Sequence, residues 1–152
     1  VLNAASIAAH PRMAGFVLGT NDLAEDINSR SRAALMTALQ MSVLAAKAAG
    51  IVVLDGVYNA FKDDEGLAVE CKEGRDMGFD GKTLIHPAQV AICNAVFGPT
   101  DAEIELATRQ IEAFEAGDGG VAVVDGKIVE NLHIVTAKAT LAKAAAIAAL
   151  EA

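Results

Sequence analysis

Cationic residues are scarce in this chain: twelve Lys and Arg stand against twenty Asp and Glu over 152 residues, for a formal net charge of −8. Broad nucleic-acid binding works by neutralising phosphates, so this balance argues against a nucleic-acid partner, and an anionic small ligand would need a local basic patch. Cysteine is scarcer still. Cys71 and Cys93 cannot build a disulfide framework or a Cys-rich zinc site, and no charged segment followed by an apolar one opens the chain, which points to a reducing cytoplasm. Trp is absent and aromatics make up 4%, but 53% apolar and 21% charged residues exclude disorder and collagen-like repetition in favour of one globular domain or part of one. Apolar stretches are interrupted by Lys, Gly or Asp before the roughly 20 residues of a membrane helix, so no membrane span is expected. There is no Walker-type loop, GxGxxG, CxxC pair, nucleophile elbow or His-rich metal spacing.

What the chain does have is alternation. Its opening, Val1-Leu2-Asn3, already lies in an apolar, helix-like run to Ala9, read as the continuation of a longer polypeptide or as a processed small domain. Ala14 to Gly19, beyond the helix-stopping Pro11, is apolar on successive positions and bounded by glycine, the pattern of a strand buried on both faces. Arg32 to Ala49 carries Leu35, Leu39, Val43, Leu44 and Ala48 at helical spacing, with Gly50 where a C-terminal cap belongs. Ile51 to Asp55 is a second strand of the same kind. Asp64 to Met77 is a helix ending at Gly78, Thr83 to Ile85 a third strand, and Pro87 the first position of a helix to about Val96. This order means parallel strands joined by right-handed crossovers, an α/β fold. Three such strands alone would leave unpaired apolar edges, whereas a parallel barrel needs eight strands and roughly 250 residues, so the pattern fits less than half of one. Thr100 and Glu103 then form a capping box opening another helix, and Gly117 to Gly120 is a glycine-rich joint. Asp125-Gly126 marks a type I′ hairpin, and an Ala-rich helix runs from about Leu132 to Leu150.

Three segments could carry chemistry. In Gly19-Thr20-Asn21-Asp22-Leu23-Ala24-Glu25-Asp26, at the carboxyl end of the first strand, Asp22, Glu25 and Asp26 fall near one helical face, as hard oxygen ligands suited to Mg²⁺. The amides of Thr20 to Asp22 are placed to hold a carboxylate. The same spacing also makes a solvated cap, Asp22 at N-cap and Glu25 at N3, which is the commoner arrangement. Asp55 ends the second strand where parallel sheets place ligands, or else bonds loop amides. Tyr58 lies in the same loop, or plugs the core with its hydroxyl on a backbone acceptor. In the third segment, residues 78 to 89, Lys82 could pair with a phosphate and His86 could bond a ligand, although a His beside a helix start is more often structural. Cys71 and Cys93 read as core side chains.

The stretches Gly-Thr-Asn-Asp-Leu-Ala (19–24), Leu-Asp-Gly-Val-Tyr (54–58) and Gly-Phe-Asp-Gly-Lys-Thr-Leu-Ile-His-Pro-Ala-Gln (78–89) closely resemble the HpcH/HpaI aldolase and citrate lyase β-subunit family, above all its malyl-CoA and citramalyl-CoA lyases. The resemblance implies that residues 1–98 are strands six to eight of a TIM (β/α)8 barrel. It makes residues 99–152 a helix, hairpin and helix extension contacting a neighbouring subunit in a homotrimer or hexamer. It implies a Mg²⁺- or Mn²⁺-dependent retro-Claisen or retro-aldol cleavage of a malyl-, citramalyl- or citryl-CoA type 3-hydroxyacyl-CoA to an acyl-CoA and a 2-oxo acid. Asp22 would be a metal ligand, Thr20 and Asn21 would hold the substrate carboxylate, and Tyr58, Lys82, His86 and Pro87 would border coenzyme A. Asp55 and Glu130 become the catalytic candidates, Glu130 standing where relatives carry Asp at the end of Met-Ile-Asp. The family's Glu metal ligand and its oxo-acid Arg have no position in this sequence, so they would come from the remainder of the same chain or from a companion. The rival readings are a barrel remnant acting in oligomer assembly, and a class II aldolase acting on free hydroxy-oxo acids.

Overall fold

The computed structural model describes residues 1–117 and 121–151, so the glycine-rich joint expected from Gly117 to Gly120 lies, past its first residue, outside the described residues. Two compact units divide at Phe97–Gly98. The first runs α1 (Ala4–Ala8), β1 (Gly15–Val17), α2 (Thr20–Asp26), α3 (Arg32–Ala49), β2 (Val52–Asp55), α4 (Asp64–Met77), β3 (Gly81–Lys82) and α5 (Gln89–Phe97). Its three strands are parallel in the order β1-β2-β3, with Phe16 opposite Val53, Leu54 opposite Gly81 and Asp55 opposite Lys82.

Glycine sets the helix stops. Gly50 at φ 69° ends α3 and Gly78 at φ 103° ends α4, both in the left-handed region that a Cβ disfavours. The third strand lies two residues earlier than the apolar run Thr83 to Ile85 suggested. Asp80 is the reason: its N–H donates to the Val53 carbonyl at 2.9 Å, while its carboxylate accepts the Val53 N–H at 2.9 Å and pairs with Lys47. This fastens the chain to β2 before Gly81. Likewise α5 begins at Gln89, because Pro87 lies in the turn that precedes it.

The strands were expected to be covered on both faces. Instead, side chains alternate between a covered and a bare side. Val53 packs with Leu35, Leu39, Val43, Leu67, Cys71, Phe79, Cys93 and Phe97 from the helical layer. On the other side Val17 is 66% and Val52 50% exposed. Each fully buried Leu or Val in that layer contributes roughly 1.5–3 kcal/mol. A smaller cluster, Ala4, Ala8 and Ala45, seats α1 on α3.

The second unit contains α6 (Asp101–Ala116), the antiparallel hairpin β4 (Ala122–Val124) and β5 (Lys127–Val129), and α7 (Asn131–Glu151). The capping box forms as expected: Thr100 Oγ1 accepts the Glu103 N–H at 3.2 Å and Glu103 accepts the Thr100 N–H at 2.7 Å. Asp125 at φ 52° and Gly126 at φ 74° make the I′-type turn. Arg109 of α6 grips the Asp125 carboxylate with two nitrogens at 2.7 and 2.9 Å, which holds that carboxyl below its usual range. Val124, Val129 and Ile134 form the core with Ile111 and Phe114. By length and composition alone, 20 residues at a mean hydropathy of 1.3, α7 reaches the size of a membrane-crossing helix, which by itself is weak evidence of a span. It packs on α6, and Lys138 and Lys143 interrupt its length.

Candidate active site

The sequence candidates of the first unit gather at the carboxyl ends of β1, β2 and β3, where three loops are tied into one rim. α2 starts with Gly19 at N-cap, so Thr20, Asn21 and Asp22 occupy its first three positions. Asp22 is therefore at N3, and the cap that would have placed it at N-cap with Glu25 at N3 does not form. Thr20 is buried against Gly56 at the end of β2: a Cβ added to Gly56 would lie 2.2 Å from Thr20 Oγ1. Only glycine permits that approach. One residue on, Asn21 and Asn59 exchange amide hydrogen bonds at 3.1 and 2.8 Å, linking α2 to the β2–α4 loop.

Asp22 is exposed, and its carboxylate makes no hydrogen bond or ion pair among the described residues. Its Oδ2 folds back over Gly19, 3.2 Å from where a Cβ would stand there. An uncommitted, hard carboxylate fits one coordination position of a divalent cation. The expected partnership with Glu25 and Asp26 is not made, since no group of three or more His, Cys, Asp or Glu positioned to hold a metal occurs among the described residues.

The loop after β2 is pinned at both ends of Tyr58. Its hydroxyl donates to Asp63 Oδ2 at 2.7 Å, while Asp63 Oδ1 caps α4 by accepting the Gly66 N–H at 2.9 Å. The hydroxyl thus takes a carboxylate, and of the two readings offered for Tyr58 the core plug bonded to a backbone acceptor does not form. Asp63 is lowered from the usual carboxylate range by the Tyr58 hydroxyl first and the Gly66 amide second, and the same bond raises the Tyr58 phenol. The Tyr58 carbonyl accepts from Gln89 Nε2 at 3.0 Å, and Gln89 Oε1 accepts the Ile85 N–H at 3.1 Å. Gln89 is buried, so its amide joins the loops after β2 and β3 out of solvent. His86 and Pro87 are exposed on the third loop. His86 Nδ1 accepts the Ala88 N–H at 3.1 Å, which leaves its ring proton on Nε2, and its ring lies 5.0 Å from that of Phe61.

Asp55 and Lys82 point elsewhere. On β2, Asp55 shares the covered face with Val53, and Lys82 opposite it shares that face in turn. Asp55 is fully buried, 3.0 Å from where a Cβ on Gly74 of α4 would stand. It accepts from Arg32 Nη1 at 3.1 Å and Nη2 at 2.8 Å, from the Gly56 N–H at 2.8 Å and from Lys82 Nζ at 2.9 Å. Lys82 donates also to Glu70 at 2.6 Å, and Arg32 to Glu73. The roles expected for Asp55 in catalysis and for Lys82 as a cation facing a phosphate are corrected by this geometry, because both charges are spent inside the helical layer. Burial works against the Arg32 charge, but its bonds to Asp55 and Glu73 outweigh burial and raise the guanidinium further.

Arg32, Gln89 and Phe61 were not singled out from sequence. A signal for Arg32 was available: a buried acid at a strand end requires a cationic partner, and Glu70 and Glu73, three apart on one helical face, favour one nearby. Glu130 belongs to the second unit, immediately before α7. Its N–H donates to His133 Nδ1 at 3.0 Å, and its carboxylate is exposed and uncommitted among the described residues.

Comparison with known proteins places the chain in a family. The HpcH/HpaI aldolase/citrate lyase family profile matches residues 1–87. The chain belongs to that family. It is 66% identical to a (3S)-malyl-CoA thioesterase of Cereibacter sphaeroides over 100% of this chain and 55% of that protein. With the citrate lyase subunit beta of Leuconostoc mesenteroides it shares 34% identity over 91% of this chain and 48% of that protein. Its fold matches the structure of CitE from Mycobacterium tuberculosis in complex with magnesium, acetoacetate and coenzyme A. The TM-score is 0.81 at 27% identity, covering 93% of this chain and 56% of that one. The chain thus spans about half the length of the curated relatives it matches.

Proposed function

We propose that the chain forms the last three strands and the C-terminal extension of a TIM-barrel enzyme that cleaves a carbon–carbon bond in a 3-hydroxyacyl-CoA of the malyl-CoA type. The observation that carries this reading is Asp22. Asp55 and Asp63 both spend their oxygens on protein donors, whereas Asp22 keeps both free at the carboxyl end of a parallel strand, where barrels place their chemistry. The bare apolar face at Val17 and Val52 supports closure with five further strands from the same polypeptide or a companion.

Asp22 would hold Mg²⁺ or Mn²⁺ together with a ligand from those strands. When bound, the ion supplies Lewis-acid polarisation of the substrate's hydroxyl and carboxylate oxygens. The amides of Thr20 and Asn21, held in place by Gly56 and Asn59, would orient the substrate carboxylate. Tyr58, His86 and Pro87 would border the thioester arm, with the Tyr58 hydroxyl retained by Asp63. A carboxylate must move the proton as the bond between C2 and C3 breaks and the acyl-CoA carbanion is quenched. Glu130, presented by a neighbouring copy in a trimer or hexamer, is our candidate for that role.

A second reading has a specific basis, since the relative at 66% identity is named a thioesterase. The two chemistries separate by product. With the full-length protein, malyl-CoA and Mg²⁺, cleavage yields acetyl-CoA and glyoxylate and releases no thiol, whereas hydrolysis yields malate and free coenzyme A detectable with a thiol reagent. Glyoxylate formation without thiol release is the expected result. Thiol release without glyoxylate would replace lyase by thioesterase.

A further inference from the structure

The side-chain amide of Gln89 carries no charge and takes no part in the reaction proposed for the rim. It stands at the first position of α5 and is 1% exposed. Burying a primary amide is unfavourable unless its donor and acceptor are matched, and Gln89 matches them on two separate loops. Nε2 donates to the Tyr58 carbonyl at 3.0 Å, and Oε1 accepts the Ile85 N–H at 3.1 Å. The Gln89 backbone N–H donates to the His86 carbonyl at 3.1 Å. Gln89 therefore brackets His86, holding the residue before it by the side chain and its own carbonyl by the main chain.

Tyr58 is fixed from both ends as well, its carbonyl on Gln89 and its hydroxyl on Asp63. One buried amide thus sets the gap between Tyr58 and His86 from behind. The strand ends beneath are tied separately, since Thr83 donates both its N–H and its hydroxyl to the Asp55 carbonyl at 3.0 Å. Gln89 carries that tie outward from the strands to the loops, where the Phe61 and His86 rings lie 5.0 Å apart.

We propose that Gln89 is a positioning residue for the coenzyme A arm: it fixes the spacing of Tyr58 and the His86–Pro87 turn, and through them sets the affinity for a CoA thioester that it does not touch. The role rests on the reading that these residues border the arm. It holds whether the enzyme cleaves the carbon–carbon bond or hydrolyses the thioester, because the substrate carries the same arm in both. Thr20 and Asn21, by contrast, are held by Gly56 and Asn59, and Asp22 follows them on α2. Losing the Gln89 amide should therefore loosen the hold on coenzyme A and leave the metal side in place.

The test compares the full-length wild-type protein with two variants. Gln89→Met keeps an unbranched side chain and removes both side-chain bonds, and Gln89→Asn keeps an amide that is too short to reach both loops. Calorimetry titrates coenzyme A, electron paramagnetic resonance titrates Mn²⁺ alone, and steady-state turnover of malyl-CoA separates kcat from KM. Unpairing the two buried backbone groups should weaken coenzyme A binding and raise KM, each by about tenfold. Mn²⁺ affinity and kcat should stay within about twofold, the pattern of lost uniform binding. A role in folding alone would instead lower the active fraction, and with it kcat and binding stoichiometry, at unchanged KM. That pattern, an unchanged coenzyme A affinity in a folded variant, an equal loss for Mn²⁺, or failure of both variants to fold would overturn the role of Gln89. Wild-type protein that binds no coenzyme A would overturn the reading of the site on which the role rests, a result distinct from variants that match a binding-competent wild type.

Discussion

Arg32 holds Asp55 with two guanidinium nitrogens, Nη1 to Oδ1 at 3.1 Å and Nη2 to Oδ2 at 2.8 Å, and turns the acid at the end of β2 into a fastening for the helical layer. Lys82 completes the grip from β3 at 2.9 Å, so three elements meet on one carboxylate. The strand-end rim rests on this base through Gly56, whose N–H also donates to Asp55.

Removing one member of a buried charge pair strands the other. Asp55→Asn or Arg32→Met should each lower the unfolding free energy by about 3–5 kcal/mol. Urea denaturation measures it, and a loss below about 1 kcal/mol would show that the network is solvated or dispensable.

Gly56→Ala introduces a Cβ that must displace Thr20. We expect a loss of about 1–3 kcal/mol, typical of overpacking. Thr20→Gly in the same chain should recover part of it, since the clash involves Thr20 Oγ1, Cγ2 and Cβ alike. Simple additivity in a double-mutant cycle would mean that the two residues do not touch in solution.

Asp22→Ala removes an exposed, uncommitted carboxylate, so stability should move by no more than about 0.5 kcal/mol while turnover of the full-length enzyme is lost. Glu130→Gln should also lower turnover. Mixed oligomers of the two variants should regain activity if Glu130 serves a neighbour's site. Unchanged inactivity after subunit exchange would assign both residues to one copy's site or remove Glu130 from the chemistry.

The Tyr58–Asp63 bond gives the rim a pH signature. Asp63 is depressed in the folded chain, so its contribution is fully present above the unfolded carboxylate value and fades as pH falls through the lower folded one. Tyr58 is raised, so its contribution is present below its unfolded value of 10.0 and is lost as pH rises through the folded one. Tyr58→Phe should therefore flatten both limbs of the stability profile and move the Asp63 carboxyl titration, followed by NMR, upward toward the ordinary range. An Asp63 titration unmoved by the substitution would leave the Gly66 amide as its sole partner.

Local signals were legible in sequence where they act locally. Gly50 and Gly78 stop their helices, Thr100 and Glu103 cap theirs, and Asp125-Gly126 turns its hairpin, because each depends on a few neighbouring residues. The motif at 19 to 24 likewise marked the exposed Asp22. Orientation was not legible. A continuous apolar strand does not say which face its terminal acid takes, and Asp55 and Lys82 take the helical side through a register fixed partly by Asp80, 27 residues from Val53. Asp22 was misplaced by three positions within its helix because Gly19 serves as cap without a side-chain bond, leaving no polar residue to announce the start.

The uncovered valines of β1 and β2 have a practical corollary. A water-facing slab of branched aliphatics, flanked by parallel backbone, adheres to whatever similar surface it meets. For this polypeptide, staying dispersed is therefore bound up with whatever covers that face. Replacing Val17 and Val52 with hydrophilic residues to aid handling would remove the very surface on which the proposed barrel closure depends.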